Sequence, residues 1–151
     1  MQECYNWETN TLDFKDLNGT IFHLKLKGTK TIVGGKAGTG KTLICNKLLD
    51  IICDDNIDMK PYNASNVFVL TQENRHLLYE QNHKLVIVDR ADMILNESEI
   101  EFINNDTSTN RYLLFARAPL GIYLSPNYFA ELVRDGMSIE IKYQFDEIGW
   151  N

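Results

Sequence analysis

The sequence has few cysteines, no long apolar run and no surplus of basic residues, and each shortage excludes a class of protein. Its three cysteines, Cys4, Cys45 and Cys53, form no C-x-x-C pair and no Cys/His cluster, so neither a disulfide scaffold nor a zinc site is expected. No window approaches about 18 consecutive apolar residues, and the polar start of the chain predicts no secretory signal. With 15 Lys and Arg against 21 Asp and Glu, the net charge of −6 does not indicate nucleic-acid binding. These features together predict a soluble cytoplasmic protein without a membrane span.

The length and composition predict a single domain. Of the 151 residues, 44% are hydrophobic, which is enough to fill one core. Apolar and polar residues alternate from Leu12 to Leu26 on both sides of Asn18-Gly19, a pair typical of tight turns, and this pattern predicts an N-terminal β-hairpin. We assign residues 1–28 to the hairpin and residues 29–151 to the core of the domain.

The core alternates predicted strands with predicted helices. Apolar runs rich in β-branched residues predict strands that are buried in a parallel sheet, near residues 30–34, 67–70, 85–88, 111–116 and 138–145. Helical spacing and capping residues predict helices at 42–52, within 71–84, at 96–104 and from Ser125 to about Arg134. This alternation predicts an α/β fold with a doubly wound, mainly parallel sheet.

One motif carries recognisable chemistry. The segment Gly35-Lys36-Ala37-Gly38-Thr39-Gly40-Lys41-Thr42 fits G-x-x-x-x-G-K-[ST] and lies between a predicted strand and a predicted helix. Its glycines allow backbone N–H groups to surround a phosphate, and the following helix adds the positive end of its dipole. Lys41 supplies a positive charge for the β and γ phosphates, and the Thr42 hydroxyl is suited to ligate Mg²⁺. The motif therefore predicts a nucleotide-binding site.

Through this motif the chain resembles the P-loop NTPase superfamily, in which the eight residues from Gly35 to Thr42 would hold the phosphates. Leu85-Val86-Ile87-Val88-Asp89 is similar to the Walker B strand of that superfamily, which implies that Asp89 holds the metal together with Thr42. The predicted strand at 67–70 resembles the additional strand of AAA+, ABC and RecA-like ATPases, which implies the strand order 5-1-4-3-2. The implied cofactors are ATP, or another nucleoside triphosphate, and Mg²⁺.

The residues expected to support hydrolysis depart from the pattern of those ATPases. In Asp89-Arg90-Ala91-Asp92, Arg90 stands where the ATPases carry the glutamate that polarises the attacking water. Asp92, Glu73 or a residue of another chain could take that role, and Arg117 could reach the γ-phosphate. We expect a slow ATPase or a nucleotide-dependent switch in a larger assembly, completed by a second copy of the chain or by a partner protein.

Two alternatives stay open. A small kinase would use the segments 54–66 and 120–127 to shape a pocket for the phosphate acceptor. A nucleotide-binding interaction module would have lost turnover, and Arg90 would mark that loss.

Overall fold

A computed structural model describes residues 5–15, 19–34, 66–117, 121–122 and 129–143, and the structural statements below refer to these residues. They form nine strands, one 3-10 helix and two α-helices. The strands are β1 (Tyr5–Asn6), β2 (Thr11–Lys15), β3 (Ile21–Lys25), β4 (Lys30–Gly34), β5 (Val67–Val69), β6 (Leu85–Val88), β7 (Arg111–Phe115), β8 (Phe129–Asp135) and β9 (Ser138–Tyr143). The helices are the 3-10 helix (Arg75–Glu80), α1 (Ala91–Ile94) and α2 (Glu97–Asn105).

All nine strands belong to one mixed sheet with the order β1-β2-β3-β9-β8-β4-β7-β6-β5. The pairs β1–β2, β2–β3 and β8–β9 are antiparallel, and the other five pairs are parallel. The N-terminal hairpin is therefore not a separate arm, because β3 pairs with β9 and continues the same sheet.

The N-terminal hairpin is confirmed, but its tight turn is wrong. A two-residue turn at Asn18-Gly19 would pair residue 17 with residue 20, whereas the strands pair Lys15 with Ile21 and Phe14 with Phe22. The connection is thus longer than predicted, and Gly19 adopts a φ of +88° that glycine accepts readily. The alternation seen in the sequence is matched by burial in β3, where Lys25 is exposed whereas Leu24 is fully buried.

Four predicted core strands are present as β4, β7, β6 and β5, adjacent to one another in that order and all parallel. Their side chains are buried on both faces, as expected for continuous apolar runs. The predicted helix at 96–104 is also confirmed as α2, with a capping box in which Asn96 and Glu99 exchange hydrogen bonds. The 71–84 segment holds the 3-10 helix.

The prediction of a helix up to Arg134 is wrong, because residues 129–135 form strand β8. Ala130 and Leu132 point into the core while Glu131 and Val133 are exposed, which is the alternation of a strand. A two-residue turn with Gly136 at φ +60° then reverses the chain into β9. Consequently β8, and not the predicted strand at 138–145, lies beside β4; β9 pairs with β8 and β3.

The doubly wound, mainly parallel α/β fold predicted from the sequence is contradicted by this mixed nine-stranded sheet. In a doubly wound fold helices cover both faces of the sheet. Here the described helices contribute to only one of two apolar cores, through residues such as Leu78, Leu95 and Ile103. The other core, named the strand-only core because no described helix residue belongs to it, runs from Tyr5 on β1 to Val67 on β5 and also includes Leu26, directly after β3.

This strand-only core is continuous because the sheet curls until its two edge strands approach each other. The Asn66 side chain, directly before β5, donates a hydrogen bond to the backbone carbonyl of Tyr5 on β1. Arg111 on β7 donates to the Tyr5 hydroxyl at 2.9 Å and also to the carbonyl of Trp7. Its guanidinium lies 4.0 Å from the centre of the Trp7 ring, a cation–π contact.

None of the helices in the described part of the chain could cross a membrane. The longest of them, α2, has nine residues.

Candidate functional site

The four parallel strands β4, β7, β6 and β5 end at the same edge of the sheet. The register pairs Val33 with Phe115 and Val88 with Leu114, so the strands finish at nearly the same level. Gly34 is the last residue of β4 and Asp89 directly follows β6, whereas Arg117 and Thr71 lie two residues after the ends of β7 and β5. Ligands of parallel sheets commonly bind beyond the carboxyl ends of the strands, so we describe this edge as the candidate site.

The glycine-rich motif starts from this edge. Strand β4 ends at Gly34, and Gly35 follows it directly. The predicted phosphate-binding residues lie outside the described residues, as does the predicted helix that follows them: Gly35, Lys36, Ala37, Gly38, Thr39, Gly40, Lys41 and Thr42. The described structure thus fixes where the motif begins, and the predicted roles of these residues stay predictions.

Asp89 directly follows β6, two strands away from β4. Its side-chain atom Oδ1 is buried and has no hydrogen-bond partner within the described part of the chain. A buried carboxylate oxygen without a partner is costly, by about 1–3 kcal/mol or more when it is ionised. Hard cations such as Mg²⁺ are bound by carboxylate oxygens and compensate this cost. The chemistry of Asp89 therefore fits the metal ligand predicted from the sequence.

Thr71 is a second polar residue at this edge, and it was missed by reasoning from the sequence. Its hydroxyl oxygen is also buried and also lacks a hydrogen-bond partner among the described residues. Thr71 follows the apolar run of β5 and Leu70 as Asp89 follows the apolar run of β6. That shared position after two neighbouring strands was a signal in the sequence, although it needs the strand order to be meaningful.

Asp92, a candidate for activating water, is engaged by neighbouring groups. The backbone N–H of Arg117 donates to Asp92 at 3.3 Å, and the Arg90 guanidinium lies 3.5 Å from the other carboxylate oxygen. Burial alone would raise the pKa of Asp92, but these hydrogen bonds and the charge of Arg90 outweigh it and lower the pKa below the ordinary value of 3.8. A carboxylate with a lowered pKa is a weak base, so Asp92 is poorly suited to accept a proton from water.

Arg90 connects Asp89 to α1 in an unusual conformation. Its φ of +54° and ψ of +49° are left-handed, which costs a residue other than glycine about 1–2 kcal/mol. The guanidinium donates to the sulfur of Met93 at 2.8 Å and approaches Asp92, so the side chain follows the first turn of α1. Its Nε is buried and has no hydrogen-bond partner in the described structure.

Glu73, the other candidate for activating water, lies in the turn after β5 and is exposed to solvent. The turn itself is rigidly held, because Arg75 donates to Gln72 at 2.8 Å and makes two hydrogen bonds to the buried carboxylate of Glu99. The hydrogen bonds and charge of Glu99 raise the pKa of Arg75, so the guanidinium stays charged. No described contact joins Glu73 to Asp89.

The structure therefore brings some predicted site residues together and leaves others apart. Asp89 follows β6, and Arg117 lies just after the neighbouring strand β7. Asp92 lies in the first turn of α1 and accepts a hydrogen bond from the backbone N–H of Arg117. Arg117 is exposed at the end of β7, beside the start of the motif on β4. Within the described ranges, no three His, Cys, Asp or Glu side chains converge on a possible metal position. A nucleotide site does not require such a cage, because phosphates and water supply most ligands of Mg²⁺.

Two surface grooves lie away from this edge. One, of about 400 Å³, runs along β3 and β9 and is lined by His23, Lys25, Lys27 and Glu140, among others. Its charges are mixed, and Lys27 is placed 4.4 Å from the centre of the Tyr143 ring. The other, of about 330 Å³, lies beside the loop after α2. Neither includes a residue at the carboxyl ends of the parallel strands.

The sequence matches no protein-family model, and a search of curated proteins finds no similar sequence.

Proposed function

We propose that the protein binds a nucleoside triphosphate, with ATP as the first candidate, together with Mg²⁺ at the carboxyl ends of β4, β7, β6 and β5. The observation that supports this most is the buried, unpartnered carboxylate oxygen of Asp89. It belongs to the same sheet edge as Gly34, from which the G-x-x-x-x-G-K-T segment begins. A phosphate-binding motif and a free carboxylate at one edge are the two parts that a metal–nucleotide complex needs.

The proposal assigns complementary roles to residues of the chain. The backbone N–H groups from Gly35 to Thr42 would hold the phosphates, and Lys41 would neutralise their charge. Thr42 and Asp89 would be the protein ligands of Mg²⁺, which neutralises the β and γ phosphate oxygens when bound. Arg117, exposed beside this edge, would contact the γ-phosphate.

We propose that turnover at this site is slow. Arg90 follows Asp89 directly, and its guanidinium lies along α1. Asp92 has a lowered pKa and is already hydrogen-bonded, and Glu73 is exposed to solvent. A slow ATPase or nucleotide-dependent switch in a cytoplasmic assembly follows, in which a second copy or a partner protein would supply the missing base.

Binding of a fluorescent ATP analogue, with and without Mg²⁺, tests the proposal. We expect Lys41→Ala to weaken binding by at least about tenfold, since it removes the charge that faces the phosphates. Asp89→Asn should abolish the gain in affinity that Mg²⁺ gives. The matched controls are Lys25→Ala at the end of β3 and Glu8→Gln in the β1–β2 turn, which remove the same charges at exposed positions near the opposite end of the sheet. Binding that is absent, or that survives Lys41→Ala unchanged, would refute the proposal.

The products formed from the bound nucleotide distinguish an ATPase, a small kinase and a nucleotide-binding interaction module. An ATPase releases ADP and free phosphate, and the release should fall to background in Lys41→Ala and Asp89→Asn. A kinase would yield ADP and a phosphorylated acceptor instead. If the wild-type protein binds nucleotide but releases no more phosphate than Lys41→Ala and Asp89→Asn, it is an interaction module that does not hydrolyse nucleotide.

A further inference from the structure

Thr71 and Asp89 both lie just after the carboxyl ends of two neighbouring strands, β5 and β6. Strands β5 and β6 pair Val67 with Leu85 and Val69 with Ile87, and the Leu70 N–H donates to the Ile87 carbonyl at 3.0 Å. Extended by two residues, past the ends of both strands, this register sets Thr71 opposite Asp89. The hydroxyl oxygen of Thr71 and the Oδ1 of Asp89 share one property, because each is buried without a hydrogen-bond partner in the described structure.

The turn after β5 is built without this hydroxyl. Threonine hydroxyls in turns commonly bond to the backbone nearby. Here the side chain of Asn74 does that work: it accepts from the Thr71 N–H at 2.7 Å and donates to the Val69 carbonyl at 2.9 Å. Arg75 then fixes the turn through Gln72 and Glu99. The Thr71 hydroxyl is thus a polar group that takes part in none of the hydrogen bonds of this turn.

The unpartnered oxygens of Thr71 and Asp89 can both accept hydrogen bonds, which indicates a ligand that donates them. An ionised carboxylate can only accept hydrogen bonds, and the hydroxyl oxygen has two lone pairs that can also accept. A water bound to a cation directs its lone pair to the metal and offers two O–H donors. Mg²⁺ keeps several such waters when it binds to proteins.

We infer that the Thr71 hydroxyl holds a water of the hydrated Mg²⁺ at Asp89. The inference rests on the proposed function, since that function supplies the cation. Thr71 is a positioning residue, because it would contact a water of the metal and neither the nucleotide nor the metal directly.

Substitutions of Thr71 test the inference through the Mg²⁺ dependence of nucleotide binding. Thr71→Val preserves the shape of the side chain and removes the hydroxyl. We expect it to raise the Mg²⁺ concentration for half-maximal binding of the fluorescent ATP analogue about fivefold, the effect of one lost hydrogen bond. Thr71→Ser keeps the hydroxyl and should restore the wild-type value.

A second measurement, of thermal unfolding in EDTA without nucleotide, does not depend on the bound state. Replacing a buried, unpartnered hydroxyl by a methyl group is neutral or stabilising, so Thr71→Val should melt at or above the wild-type temperature. Thr31→Val is the matched control. Thr31 is also buried, and its hydroxyl donates to the Lys27 carbonyl at 3.3 Å, so its loss should lower the melting temperature without changing the Mg²⁺ requirement.

The outcomes separate this inference from the proposed function. If Asp89→Asn removes the Mg²⁺ dependence and Thr71→Val does not change it, the inference is wrong and the proposed function stands. A fall in melting temperature as large as that of Thr31→Val would show that the hydroxyl has a structural partner, and would also overturn the inference. If the wild-type protein binds no nucleotide, both fail.

Discussion

Asp92 is a residue whose charge is used for structure. It lies in the first turn of α1, where its side chain is 7% exposed, and it accepts hydrogen bonds from Arg117 and Arg90. Its pKa is lowered below 3.8, so the folded state favours the ionised carboxylate more than the unfolded state does. The resulting stabilisation is complete above the unfolded pKa and is lost as the pH falls through the lower folded pKa.

Asp92→Asn should therefore cost stability in a pH-dependent way. We expect a loss of about 1 kcal/mol at neutral pH, where the carboxylate is charged, and a smaller loss as the pH falls below the ordinary pKa of 3.8 toward the lowered pKa of the folded state. Thermal melting of both proteins between pH about 6 and about 3 measures the difference. Asp135→Asn, at an exposed turn, is the control and should change little. An equal loss for Asp92→Asn throughout this range would contradict the assigned role.

The sequence indicates those candidate site residues whose position is visible from their immediate neighbours in the chain. Asp89 was identified because a carboxylate after a buried strand is visible in the sequence, and its free oxygen fits that prediction. Thr71 was missed because its relation to Asp89 appears only once β5 and β6 are known to be neighbours in the sheet. The engagement of Asp92 by Arg117, 25 residues later, was equally hidden.

Among the elements, the 3-10 helix and α2 are joined by one buried ion pair. Arg75 donates to both carboxylate oxygens of Glu99, at 3.0 Å to one of them, and also to the Ile94 carbonyl at 2.7 Å. The Glu99 side chain is only 3% exposed and completes the capping box by accepting from the Asn96 N–H. The same carboxylate therefore begins one helix and anchors another.

Arg75→Met should destabilise the protein by about 3 kcal/mol, because it leaves the charge of Glu99 buried and unpaired. The double variant Arg75→Met with Glu99→Leu should recover a large part of this loss, since no buried charge remains. Urea unfolding of the single and double variants measures the free energies, and Arg134→Met on β8 is an exposed control. Additive losses in the double variant would show that the two residues act independently.

The elements differ in how far the sequence determined them. Strands β4 to β7 were predicted correctly because continuous apolar runs of this length are typical of strands buried on both faces. Residues 129–135 combine apolar positions that suit a helix as well as a strand, and pairing with β4 and β9 decided between them. Gly136 was the overlooked signal, because a glycine at the first position of a two-residue turn between alternating residues is typical of a hairpin.

At the scale of the whole molecule, the fold class depended on contacts that no local pattern records. The hairpin β2–β3 joins the parallel strands through β9, and β1 returns to the opposite end of the sheet. Both relations connect residues more than 60 positions apart. The sequence therefore predicted the parallel strands. It did not predict the mixed, curled sheet, because that sheet depends on pairing between strands far apart in the chain.

Arg111 holds this curled shape through Tyr5 and Trp7. We expect Arg111→Met to lower the free energy of unfolding by about 2 kcal/mol, because two hydrogen bonds and a cation–π contact are lost. In a Trp150→Phe background, which leaves Trp7 as the single tryptophan, its fluorescence emission should shift to longer wavelength. Urea unfolding and emission spectra check both effects. Unchanged stability with unchanged emission would mean that Arg111 does not secure the N-terminal strand.

The approach of β1 to β5 also has a consequence for association between copies. The edge strands of the described sheet have only two and three residues, and the Asn66 side chain joins them. Short, covered edges offer little template for an incoming strand, which is how natural sheets resist strand swapping and amyloid growth. Among the described residues, the sheet therefore offers a second copy little free edge for strand pairing.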